Sequence, residues 1–448
     1  MSKVTSLTDG TPWKLILRMA IPMALGYFFN QIYSIADGII VGQYLGVDAL
    51  AAVGATSSLN NLFCSLVIGT TVGAGVLAGQ YYGKAESSDQ VSLAIANGTY
   101  FNLFISILLT LISVPFAKQW LALFRTPETV LADATVYMQV YLIGIVFMTM
   151  FYMSFEILRA FGDAKTPLYF MIVSSVVNIL LDLLFVCVLS LGVFGAALAT
   201  TLAQALACVL CLIYAFHTNP FIRGVVSNYA PDLTMMRKCG GIGMALGIQS
   251  ALIYLSTSVL QGVVNGYGEN TIAAFTITGK YEMILLQPIL AWANAMTAFV
   301  SQNIGARKYD RILIAVKNSN VISIIYSVIG LLIFLVLGRR LSYIFVTDTE
   351  VAELVYRGML WEAVFLYGLC LNRILRNLLT GAGDAAFSIY AGVVEIAARI
   401  LLCFLLTAIP LIGIWGIWIT TGLTWSAVAI FALIRYRSGK WKNLSVTA

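Results

Sequence analysis

The sequence predicts an all-α integral membrane protein. Twelve transmembrane helices should form two six-helix lobes, related by a pseudo-two-fold axis along the membrane normal. Three observations predict this. First, of 448 residues 60% are hydrophobic and 10% charged, where soluble domains carry about 25% charged residues; the mean hydropathy is +0.91. Second, twelve apolar segments are long enough to cross a bilayer, which takes about 20 residues. Third, the two halves repeat each other at an almost constant offset. "MALG" at Met23 returns at Met244, and "RAFGDAKTPLY" from Arg159 returns as "TGAGDAAFSIY" from Thr380, both 221 positions on. "LFRTPETV" from Leu123 and "IFVTDTEV" from Ile344 share that offset. "GQYYG" from Gly79 and "SQNIG" from Ser301 differ by 222.

The segments run 15–43, 49–80, 92–116, 130–158, 166–190, 193–217, 238–265, 271–302, 313–338, 351–379, 385–410 and 412–436. They are too long and too uniformly apolar for barrel strands, which alternate over about ten residues. Span 1 carries Pro22, a kink site, and Asp37. Span 2 ends on Gly75, Gly79 and Gly83, a spacing of four that permits close helix approach. Span 5 holds Asn178 and Asp182, and span 6 ends at His217, read as an interfacial residue. Span 7 opens on "GGIGMALG", which no strand precedes, so it is no dinucleotide fingerprint. Span 8 carries Glu282 and Pro288, span 10 Glu362, Arg373 and Arg376, and span 11 Glu395 and Arg399. With six spans per half, both halves insert in the same orientation, as parallel transporter repeats do. The expected organisation is an N-terminal lobe 1–217, a cytoplasmic linker 218–237 and a C-terminal lobe 238–448.

Lys and Arg orient the chain. With the N-terminus cytoplasmic, 16 of them, Lys3 among them, fall on the cytoplasmic side, and four (Lys118, Arg125, Arg339, Arg340) on the other. Both termini are therefore expected in the cytoplasm of a prokaryotic cell, at its plasma membrane. The net charge of +6 is spread over loops and tails, without the basic stripe that nucleic acid needs. The polar start "MSKVTSLTDGTPWK" does not read as a cleaved signal. Six of the seven cysteines noted in apolar runs, including the Cys208–Cys211 pair, read as small packing residues. No P-loop, zinc-ligand or nucleophile–base arrangement is visible, so neither an enzyme nor a bound cofactor is expected.

Mid-span carboxyls are costly, about 2.5–3.5 kcal/mol each on insertion scales. In the first half these are Asp37 and Asp182, and no Lys or Arg lies mid-span to neutralise them. Burial favours the neutral form of a carboxyl, so the pair could take up and release a proton. With Asn178 and a hydroxyl such as Thr200 it could instead ligate Na⁺, a hard cation. Tyr33 shares the helix face of Asp37, and Met148 and Tyr152 suit a cavity for a flat organic cation. In the second half Glu395 and Arg399 are four apart and should pair, and Arg373 and Arg376 are expected near Glu362 and Glu282. Glu282 is the candidate there to touch a cationic substrate. Asn178 aligns with Arg399 at the repeat offset, so Arg399 joins the candidate cavity set.

"AIP" at 20–22, "YSIADGIIVGQYLG" from Tyr33, "GQYYGK" from Gly79, "LRAFGDAKTP" from Leu158 and "NILLDLLFV" from Asn178 together resemble the multidrug and toxic compound extrusion (MATE) family across the whole chain. The resemblance implies a monomeric exporter of organic cations and other amphiphilic drugs, driven by inward H⁺ or Na⁺, that works by alternating access. It implies a first-lobe cation site of Asp37, Asn178, Asp182 and Thr200, and a span 1 that bends at Pro22. Span 7 has no acid and span 10 carries Asn372, Arg373 and Arg376, which departs from the NorM branch and points to the DinF-like branch. A flippase of lipids or lipid-linked oligosaccharides, from the same superfamily, is the alternative; Arg373, Arg376 and Arg399 are what favours it.

Overall fold

The computed structural model describes residues 5–85, 88–124, 126–227 and 230–444. Lys3 and Arg125, counted for orientation, lie outside the described residues, as do parts of the 123–130 repeat motif and of the expected linker. Among the described residues there is no strand. The first half folds into α1 (Pro12–Tyr44), α2 (Val47–Gly83), α3 (Ser88–Ser113), α4 (Glu128–Ala160), α5 (Lys165–Asp182) and α6 (Gly192–Thr218). The second half folds into α7 (Leu233–Asn265), α8 (Glu269–Gly305), α9 (Tyr309–Ser342), α10a (Thr349–Val364), α10b (Leu366–Gly381), α11 (Ala385–Ala408) and α12 (Gly416–Arg437).

Eleven of these helices are long and apolar enough to span a membrane singly. The twelfth span is the pair α10a–α10b, bent by 49° at Phe365, where the sequence suggested one unbroken helix over 351–379. α5 is extended by a π-helical turn, Leu183–Val188, that begins immediately after Asp182. α1 runs through Pro22 as one helix.

The twelve spans make two lobes with matching internal packing. α2 lies against α4 in the first lobe as α8 lies against α10 in the second, and α5 pairs with α6 as α11 pairs with α12. Between lobes α2 meets α7 and α8 meets α1, while α2 and α8 meet across the pseudo-axis. Small residues set these approaches. A Cβ on Gly243 of α7 would stand 2.6 Å from the Thr70 Cα of α2, and one on Gly69 would strike the Gly247 backbone. The spaced glycines of span 2 also face neighbours: Gly75 faces Glu156, Gly79 Ser301 and Gly83 the Gln302 carbonyl.

The lobes are sealed at the end that carries the chain termini, and the seal is itself two-fold. Gln80 of α2 donates to the Gly381 carbonyl at the end of α10b, at 3.1 Å. Gln302 of α8 donates to the Ala160 carbonyl at the end of α4, at 2.6 Å. Both glutamines are fully buried, and Gly83 and Gly305 leave room for the opposing backbones. The segment before α1 straps over this seam. Thr5 N–H donates to Phe161 O, Leu7 N–H to Gln302 Oε1, and Leu7 O accepts from Asn303 and Arg311. Lys308 pairs with Asp9 at 3.1 Å and holds that carboxyl below its usual range. Further in, Asn294 donates to the Tyr27 hydroxyl at 2.7 Å.

Truncating Gln302 to Ala strands the Ala160 carbonyl and the Leu7 amide, at about 1–3 kcal/mol per buried unsatisfied group. Hydrogen–deuterium exchange of the Gln302→Ala protein should quicken at 157–162 and 299–305 and stay unchanged within α12. Unaltered exchange at both segments would mean that the seal does not depend on this side chain.

Candidate functional site

Three helices of the first lobe build one polar centre. α1 presents Tyr33 and Asp37 one turn apart on the same face. α5 presents Asn178 and Asp182 in the same relation, both buried, with Asp182 fully so. α6 brings up Thr200. The Asp37 and Asp182 carboxyls are near enough for each to act on the charge of the other. Turned so that its nitrogen faces the acid, the Asn178 amide donates to Asp182 Oδ2 at 3.2 Å, and its oxygen lies 3.3 Å from Thr200 Oγ1 and from the Thr200 amide. One oxygen of each acid, Asp37 Oδ1 and Asp182 Oδ1, has no hydrogen-bond partner among the described residues. Among the described residues no basic group acts on either acid.

Two neighbouring carboxyls buried away from water cannot both stay ionised with nothing between them. They need a shared proton or a cation, and the spare oxygens of Asp37, Asp182, Asn178 and Thr200 are the ligands a hard cation prefers. The π turn that follows Asp182 interrupts the regular ladder at that residue, a device frequent at functional sites.

Asp37, Asn178 and Thr200 open onto a cavity of about 420 Å³. Tyr33, Met148 and Tyr152 line it, and Asp182 sits behind its wall. The sequence reading missed Tyr137 and Tyr141, which line the same space with their rings stacked at 6.2 Å. It also missed Asn60, Asn61 and Gln204. The tyrosines carried a signal, the same four-residue spacing that links Tyr33 to Asp37; the amides carried none.

Glu282 and Arg399 are not on that wall. They lie in a buried charge cluster of the second lobe. Arg376 binds Glu395 at 2.6 Å, and Arg399 binds the other oxygen of Glu395 at 3.4 Å, so the expected Glu395–Arg399 pair is present. The expectation that Arg376 would meet Glu362 is corrected: its partner is Glu395 of α11, because Glu362 lies 14 residues away along the span, about 21 Å even in an unbroken helix. Glu362 faces Glu282 instead. Pro22 is buried at the lobe interface on α1, away from the acids.

The MatE family model matches the chain twice, over residues 22–184 and 245–405. Each match falls in one half, and the two end 221 residues apart, which is the repeat offset. The chain is similar to the probable multidrug resistance protein YoeA of Bacillus subtilis, 25% identical over 444 residues, 97% of this chain and 95% of that one. It is similar to the multidrug export protein MepA of Staphylococcus aureus, 22% identical over 438 residues, covering 95% and 94%. Its fold matches that of a multidrug resistance MATE family transporter of the MOP superfamily in an outward-facing conformation, with a TM-score of 0.91 at 21% identity, covering 99% of each chain.

Removing one partner of a buried ion pair costs about 3–5 kcal/mol, whereas an exposed pair contributes about 0–1 kcal/mol. Glu395→Gln should therefore lower the unfolding midpoint of the detergent-purified protein by several degrees. Glu353→Gln, which breaks the exposed pair with Arg357, should leave it nearly unchanged. Equal midpoints for both variants would show that the Arg376–Glu395–Arg399 cluster is not structural.

Proposed function

From the premise that the chain belongs to the MatE family, a family of membrane transporters, we propose that it is a secondary antiporter. It exports organic cations and amphiphilic drugs in exchange for H⁺, with Na⁺ as the alternative coupling ion. The observation that carries this reading is the pairing of Asp37, on the wall of an aromatic cavity, with the buried Asp182 behind it, with no basic partner for either among the described residues. The names of the relatives matched over nearly their whole length support multidrug export over a lipid flippase.

The chemistry is a competition for one charge. A deprotonated pair attracts a cationic substrate into the cavity, where Tyr33 and Tyr152 offer ring faces and Met148 an adaptable wall. A proton that bridges the carboxyls cancels one of their two negative charges, which weakens the attraction and releases the cation. With the termini cytoplasmic, the glutamine seal closes the cytoplasmic side, so this is the outward-open state, in which substrate leaves and the ion enters. Asn178 and Thr200 hold the carboxyl of Asp182 in place for either ion. Pro22, which leaves the Arg18 carbonyl without its helical donor, gives α1 the freedom to bend as the lobes exchange. The protein works as a monomer.

Reconstituted proteoliposomes with an imposed pH gradient or an imposed Na⁺ gradient, followed with a fluorescent organic cation, test this. Transport should follow the pH gradient. Asp37→Asn and Asp182→Asn should each reduce it by about tenfold or more, the loss of one charge-assisted contact. Cation binding to the wild type should weaken as pH falls. Transport on Na⁺ alone would keep the site and change the ion. Full transport in either variant would sink the assignment.

A further inference from the structure

A second cavity, of about 390 Å³, lies between the lobes and is lined by α2, α4, α7, α8 and α10b. It shares Asn61, Cys64 and Ile68 of α2 with the acid-bearing cavity, so the two are continuous along one helix face. Its chemistry is the opposite. Arg373 and Arg376 line it, and Arg376 is only 5% exposed.

The local acids do not saturate these cations. Glu395 is shared by Arg376 and Arg399. Arg376 Nε and Arg373 Nε have no hydrogen-bond partner among the described residues, and Arg373 forms no ion pair there. Glu156, on the facing wall, is held by Arg159 at 2.8 Å. Glu282 acts on Arg373 through space but stands beside Glu362. Three neutral groups beside the arginines are already committed: Asn294 donates to Tyr27, Asn377 donates to the Arg373 carbonyl, and Thr297 donates to Asn377. Beside Asn61, Ser250 and Tyr254, the cavity therefore presents a guanidinium face that can only donate. An unpaired guanidinium in a membrane interior is costly and marks a functional site by default.

The repeat sharpens the point. Arg373 occupies the position of Tyr152, Arg399 that of Asn178, Ser258 that of Asp37 and Cys403 that of Asp182, all 221 residues on. At four related positions the second lobe has lost acid, amide or aromatic character, and at two of them it has gained positive charge.

Resting on the antiporter reading above, we propose that the inter-lobe cavity is an anion subsite. The substrate class is then an amphiphile that carries a carboxylate or phosphate on Arg373, backed by Arg376, with its cationic end toward Asp37. The preferred cargo is a zwitterion rather than a simple cation.

Rhodamine B, a zwitterion at neutral pH, and its ethyl ester, a cation with the carboxylate masked, differ in that one group. Binding of both to the full-length purified protein is read by fluorescence anisotropy, and uptake of both in proteoliposomes. The wild type should bind rhodamine B on the order of tenfold more tightly than the ester, the worth of one charge-assisted contact. Arg373→Gln should bring the two dyes to near equality without changing ester affinity, and Arg373→Lys should retain part of the preference. Equal affinities in the wild type, a preference that survives Arg373→Gln, or loss of both dyes in that variant would each overturn the subsite. Asp37-dependent uptake of the ester without any preference would overturn the subsite alone. Failure of the wild type to bind either dye would overturn the antiporter reading with it.

Discussion

A charge in the interior of a bilayer persists only where the fold supplies a partner or the function supplies one in passing. This chain meets that constraint in two ways, and much of its architecture follows. In the second lobe partners are built in for two of the three buried arginines: Glu395 bridges Arg376 and Arg399, so α10b and α11 are tied by charges that neither helix could carry alone. In the first lobe the partner is not built in. Asp37 and Asp182 face each other, each with an oxygen that no described residue satisfies. Such an arrangement is stable with a proton or cation and strained without one, which is the property a coupling site needs. The aromatic wall, the amide and hydroxyl from α5 and α6, and the π turn after Asp182 all serve that centre.

Duplication explains why two chemistries sit on one scaffold. The packing of α2 on α4 is repeated by α8 on α10, and α5 on α6 by α11 on α12. The cavity-facing side chains have diverged, while the seal has not. Gln80 and Gln302 each reach the carbonyl that closes a helix of the other lobe, and those carbonyls, Gly381 and Ala160, are themselves 221 positions apart. A seal across a two-fold axis has to be made twice by the same residue type, because each half meets the other in the same geometry. A cavity has no such requirement, since each half lines its own portion.

The apolar run lengths and the repeat made the twelve spans, the lobes and the Asp37–Asp182 pair legible in the sequence. Both acids stand out because nothing nearby in sequence neutralises them, and Asn178 and Thr200 follow once the family resemblance is seen. The break at Phe365 was not legible, because no Pro marks it, the nearest glycine is Gly368 three residues on, and the apolar pattern runs through it. The partner of Arg376 was lost for a different reason: Glu362 shares its span but stands about 21 Å away along the axis, whereas Glu395 on the neighbouring α11 is in reach. The glutamine seal escaped as well. The repeated "GQ" and "SQ" motifs showed that the positions correspond, but amide-to-carbonyl bonds between residues 301 and 142 positions apart have no local pattern.

The seal also bears on how the two sites could drive the lobes. Each of its hydrogen bonds contributes about 0.5–1.5 kcal/mol net, so the glutamine pair and the strap around Leu7 amount to several kcal/mol in all. A two-state equilibrium moves from one side to the other when a ligand favours one state by about 5.5 kcal/mol. The two quantities are of the same order. A much stronger seal would hold the lobes in one state whatever bound, and a much weaker one would let them exchange empty and leak the ion gradient. Side-chain-to-backbone bonds at helix ends fit this range, because they break without unwinding any helix. The buried Arg376–Glu395–Arg399 cluster does not fit it, and accordingly it lies within one lobe and not across the seam. Strong electrostatics therefore hold the second lobe rigid, while weaker neutral hydrogen bonds carry the motion, and the unpartnered acids of the first lobe connect that motion to an ion.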